Sequence, residues 1–126
     1  MRLLLDTHIM LWALIAPERL EAEERAIIGD PANEVHVSAA SLWEIAIKFP
    51  LQRGRAGALP FGAEAAARHC AAAGFLPLPI TAPHAAAVER LPPLHADPFD
   101  RMLVAQARVE PMHLISHDRL VRAYLA

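Results

Sequence analysis

The chain has 126 residues, enough for one domain built on one sizeable core. Hydrophobic residues make up 55% and charged residues 21%, which excludes a disordered chain. A formal net charge of −2 excludes a strongly basic nucleic-acid footprint, so any polyanionic partner needs a local basic patch or metal ions to hold it.

Residues 2–5, with Leu3, Leu4 and Leu5, read as a strand buried on both faces. Asp6 ends that strand, and a helical pattern carrying Leu11, Leu14 and Ile15 runs from His8 to about Ala16, where Pro17 stops it. Glu18 to Gly29 reads as a second helix with a core stripe of Leu20, Ile27 and Ile28. Glu34 to Ser38 is a short strand. Ala39 to Phe49 is a strongly apolar helix, followed by a loop from Pro50 to Pro60 that contains Arg53 and Arg55. Phe61 to Ala73 is an Ala-rich helix closed by Gly74. A strand within Phe75 to Ile80 is confined to a sheet edge by Pro77 and Pro79. Thr81 caps a helix to Leu91, with Pro83 in its first turn. A rigid loop from Pro92 to Ala96 leads into a helix from Asp97 to Val109. Met112 to Ser116 is a fourth strand, and His117 to Leu125 a terminal helix. Strands alternating with helices predict a single α/β domain over residues 1–126, a three-layer α/β/α arrangement with a mainly parallel sheet of about 4–5 strands. Met1-Arg2 leads straight into the first strand and no apolar run approaches the roughly 20 residues of a membrane span. With Cys70 as the sole cysteine, the expected setting is soluble, reducing and cytoplasmic, with no membrane association.

Functional groups of open α/β sheets gather outside the carboxyl ends of the strands. Asp6, Glu44, Asp97, Asp100 and Asp118 can all reach that rim. Carboxylates crowded together raise one another's pKa. Divalent cations relieve this, and Mg²⁺ or Mn²⁺ suits an all-oxygen site. Two such ions about 3.5–4 Å apart can activate water and stabilise the leaving oxygen in phosphodiester cleavage. Each acid also has a plainer role. Ser41 to Glu44 fits a capping box, yet Ser38 is the more natural cap, which leaves Glu44 among apolar neighbours and favours function. Asp97 reads as the cap of its helix. Asp100 fits a ligand or a helix-dipole acid equally well. Asp118 also fits a first-turn acid after a Ser116 cap, and Asp6 also fits a cap. No HxH pair occurs among the seven histidines, and the one HxxxH spacing, His113 to His117, runs from a strand into the next helix rather than along one helix face, so a His-rich zinc site is not expected. His8 and His117, each beside a candidate acid, could touch substrate, with packing as the default. Cys70 reads as buried and inert.

Four blocks, Leu4 to His8, Val37 to Ile45, His95 to Ala107 and Leu114 to Asp118, together resemble the PIN-domain family, and more closely the VapC toxins of type II toxin–antitoxin systems. The resemblance spans nearly the whole chain. It implies metal-binding, catalytic acids at Asp6, Glu44, Asp100 and Asp118, with support from Thr7 and Ser116, and with Asp97 near the metal or in an outer layer. It implies Mg²⁺ or Mn²⁺ as cofactor, RNA as substrate, a cognate VapB-type antitoxin and a homodimer. Arg53 and Arg55 form the best local basic patch for RNA phosphates, and a solvated turn is an equal reading. Arg101 is a further candidate for substrate contact, and Gln106 matches the pattern without an assigned role. A DNA nuclease of the same fold and a non-catalytic binding module are the alternatives. A signalling receiver domain fits poorly, because no acid occurs between Glu44 and Glu64, and a DxD phosphotransferase fails because position 8 is His.

Overall fold

The computed structural model describes residues 1–125. Its elements in chain order are β1 (Arg2–Leu5), α1 (Thr7–Ile15), a 3₁₀ turn (Pro17–Arg19), α2 (Ala22–Gly29), β2 (Glu34–Ser38), α3 (Ala39–Gln52), α4 (Ala63–Ala72), β3 (Leu76–Leu78), α5 (Ala82–Val88), α6 (Pro98–Val109), β4 (His113–Ile115) and α7 (Arg119–Leu125). The four strands form one parallel sheet in the order β3-β2-β1-β4. The chain thus winds outward from β1 to β3, then crosses to the other side of β1 for β4. That reversal opens a crevice at the carboxyl ends of β1 and β4, where a doubly wound sheet places its ligands.

The pleat sorts the core into two layers. Leu3, Leu5, Val35, Val37 and Ile115 pack with Ile9, Met10, Ile45, Ala66 and Cys70 on the side of α1 to α4. Leu4, Leu78 and Leu114 pack with Ala87, Leu103, Val104, Val121 and Tyr124 on the side of α5 to α7. β1 is central and its three leucines are fully buried, as the apolar run predicts. β3 occupies an edge, where a proline such as Pro77 is tolerated.

Helix boundaries differ from expectation at three places, one of them the end of α5, at Val88 rather than Leu91. The second helix is split: Leu20 is extended, and Glu21 starts a new helix through a capping box with Glu24, whose side chain accepts from the Glu21 N–H at 2.9 Å. Helix α3 runs past Pro50 to Gln52. Proline there removes one hydrogen bond near a helix end, where few remain to be made. Gln52 then accepts from the Leu59 N–H and closes the loop that follows.

Gln106, without a role in the sequence, is fully buried and joins the sheet to the second helical layer. Its Oε1 accepts from Ser38 Oγ at 2.6 Å, and its Nε2 donates to Pro79 O at 3.3 Å. His84, also fully buried, accepts from the Thr81 N–H through Nδ1, so its Nε2 carries the proton donated to Glu110 at 2.5 Å.

Candidate metal centre

The acids are set by helix starts. Asp6 follows β1 and caps α1, its Oδ1 accepting from the Ile9 N–H at 2.8 Å. Asp97 caps α6, accepting from Phe99 and Asp100 at 2.8 and 3.0 Å. Asp118 stands just before α7 and accepts from Leu120 and Val121 at 2.8 and 3.1 Å, while Ser116 Oγ accepts from the Asp118 N–H. A cap uses one carboxylate oxygen and leaves the other for a ligand. The amino ends of α1, α6 and α7 also bring positive dipole ends to the rim, which favours anionic side chains there.

Ser38 caps α3 by accepting from the Ala40 N–H at 3.0 Å, so Glu44 is free of the capping box that Ser41 would have implied. Glu44 is buried instead between two donors. Thr7 Oγ1 donates to its Oε1 at 2.8 Å, with Ser41 Oγ 2.9 Å from the same hydroxyl, and Lys48 Nζ pairs with its Oε2. Thr7, Glu44, Lys48, Gln52, Gly57 and Leu59 line one small cavity, which puts the Arg53 and Arg55 loop on the Glu44 flank. Arg53 and Arg55 are exposed, and the Arg53 guanidinium lies over the Phe49 ring.

Asp6 and Asp118 line a second, open cavity of about 290 Å³ with His8, Trp12 and His117. Asp100 joins them through His95, whose Nε2 lies 2.8 Å from Asp100 Oδ2 and 3.9 Å from Asp118 Oδ1. Burial pushes the Asp6 carboxyl above its ordinary range, and hydrogen bonds from Ser116 and Ile9 offset part of this. Burial also raises Asp100. The His95 hydrogen bond opposes that rise, while the negative charges of Asp97 and Asp6 add to it.

The structure therefore gathers Asp6, Asp100 and Asp118 with Asp97 beside them, and holds Glu44 at one flank. Among the described residues, no Lys or Arg pairs with Asp6, Asp100 or Asp118. Carboxylate oxygens of Asp100 and Asp118 fall within 4.8 Å of each other, a spacing that one ion can span, with His95 beside both. Carboxylate oxygens that lack a cationic partner suit Mg²⁺ or Mn²⁺, so the residues fit the implied metal.

Arg101, a candidate for substrate contact, is engaged within the fold. Its Nη1 donates to Tyr124 Oη at 2.9 Å and to the carbonyls of Pro92 and His95, and its Nη2 donates to Val88 O. Two neighbours of the acids escaped the sequence. The i, i+4 spacing from Glu44 is the signal that would have found Lys48. His95, five residues before Asp100, carries no periodic signal because it sits in an irregular loop. A second group, Glu21, Glu24 and His117, lies close by, with His117 Nε2 at 2.7 Å from Glu24 Oε1.

A family profile described as PIN domain matches residues 3–124. No curated protein sequence matches. Among solved structures, the chain is similar to VapBC2 from Rickettsia felis, crystallised with a DNA fragment from their promoter. The TM-score is 0.69 at 14% identity, covering 98% of this chain and 93% of that one. At that identity the likeness concerns the fold.

Proposed function

Because the chain belongs to the PIN domain family, we propose that it is a Mg²⁺- or Mn²⁺-dependent endoribonuclease and the toxin half of a VapBC-type pair. One observation carries the reading: Asp6 is buried with the half-buried Asp100 near it, both carboxyls are pushed up, and no Lys or Arg among the described residues neutralises them. Carboxylates drawn out of water without a cationic partner are costly unless a metal ion takes that place.

Asp6, Asp100 and Asp118 would hold the metal, with Glu44 at the flank. When bound, a divalent cation supplies Lewis acidity toward the phosphodiester and lowers the pKa of the attacking water. The chain's own residues do the positioning. Ser116 and the amino ends of α1 and α7 fix Asp6 and Asp118, and Thr7 fixes Glu44. His8, Trp12 and His117 line the open side of the cavity, where an RNA strand would lie. Arg53 and Arg55, exposed on the Glu44 flank, would meet its phosphates. A VapB-type antitoxin and a second copy of this chain are the proposed protein partners, and the VapBC2 likeness over nearly the whole of both chains supports the first.

Purified protein should cleave structured RNA with Mg²⁺ or Mn²⁺, and EDTA should stop it. Asp6→Asn should remove activity while the circular dichroism spectrum stays that of the wild type. Cleavage by that variant at the wild-type rate would defeat the site assignment, and equal cleavage of single-stranded DNA would favour a DNA nuclease.

A further inference from the structure

We infer that His95 is a positioning residue of the metal centre, one that orients the Asp100 carboxylate from a loop pinned by Tyr124 and Arg101. The inference rests on the metal reading of Asp100 and adds a residue to it. His95 Nδ1 faces the Asp97 N–H at 3.5 Å, so that nitrogen is the acceptor and Nε2 keeps its proton. A protonated nitrogen cannot ligate a cation, but it can donate to Asp100 Oδ2, 2.8 Å away. The bond holds Oδ2 and leaves Oδ1 directed elsewhere. Ligating carboxylates are commonly steered by such an outer hydrogen bond.

The loop that carries the ring is held by two side chains. Tyr124 Oη accepts from the Leu94 and His95 N–H groups at 3.2 and 3.1 Å and donates to Pro92 O at 2.7 Å. Arg101 donates to His95 O at 3.3 Å and to the same tyrosine hydroxyl at 2.9 Å. The His95 side chain is only 12% exposed, so few other rotamers are open to it. An irregular loop tied this firmly, with its one polar ring placed on a candidate ligand, is built to fix that ligand.

Manganese binding to the full chain, followed by calorimetry with RNA absent, tests this apart from activity. Asparagine at position 95 is polar but too short to reach Asp100, whereas glutamine presents an amide N–H near the position of Nε2. His95→Asn should weaken Mn²⁺ binding roughly 10–100-fold, and His95→Gln should bind within a few-fold of wild type. A purely structural role would lower the melting temperature of His95→Asn without this split between the two variants. Wild-type Mn²⁺ affinity in His95→Asn, or equal loss in both variants, would overturn the inference. Failure of the wild-type chain to bind Mn²⁺ would instead overturn the metal reading on which it rests.

Discussion

At the scale of single residues, the centre is a set of charges placed where folding alone would not put them. Burial raises both Asp6 and Asp100 above the ordinary value of 3.8. A carboxyl whose folded pKa exceeds its unfolded one binds more protons in the native state across that interval. Its favourable contribution is complete below the unfolded pKa and is lost as pH rises through the folded one. Metal-free protein should therefore lose stability as pH climbs from about 3.8 through the raised values of these two acids. Asp100→Asn should flatten that loss and melt higher than wild type in EDTA at pH 7, while cutting activity by more than the roughly 10–100-fold typical of outer-shell changes. Mn²⁺ at about 100 times its Kd should add about 2.7 kcal/mol, roughly 10 °C for a chain of this size, and should add less at pH 4. Melting curves with and without EDTA across pH check each part, and an unchanged Asp100→Asn curve would remove the charge argument.

At the scale of elements, the helices were largely legible and their connections were not. Asp97-Pro98-Phe99-Asp100 states its own cap, because the cap and its proline are local chemistry. That Glu44 has no capping role was legible because Ser38 is the natural cap. The role of Gln106 was not legible, since its partners Ser38 and Pro79 lie 68 and 27 residues away. His95 was missed for the same reason: Tyr124, 29 residues on, determines where its backbone sits. The Gln106 side chain ties α6 to the carboxyl end of β2, so its loss leaves the buried Ser38 hydroxyl without its partner. Gln106→Leu should cost about 1–3 kcal/mol, read as a lower urea midpoint with unchanged slope. A loss below a few tenths of a kcal/mol would mean that the network contributes little to stability.

At the scale of the whole molecule, alternation of strands and helices was enough to read the sheet, and the order β3-β2-β1-β4 explains why four distant blocks of sequence share one rim. The outer surface was harder to read, because a helix rich in apolar residues does not announce which face lacks a neighbour. On α3 that face is Trp43, Ile47 and Leu51, at 59%, 42% and 67% exposure, spaced one turn apart along a single stripe. Trp43 also meets Phe99 edge-on at 5.2 Å beside a cavity that Ile80 and Met102 help to line. A lone folded chain seldom leaves so continuous an apolar stripe in water. With a homodimer proposed, this stripe is the natural seat for the second copy, since a two-fold axis across it would pack like against like. Ile47 is the residue to change, because it carries the stripe without touching the acids. Ile47→Asp should shift the protein from the mass of two chains to that of one in light scattering, with its circular dichroism spectrum unchanged. A variant that stays dimeric would place the self-association surface elsewhere and leave the α3 stripe to the antitoxin.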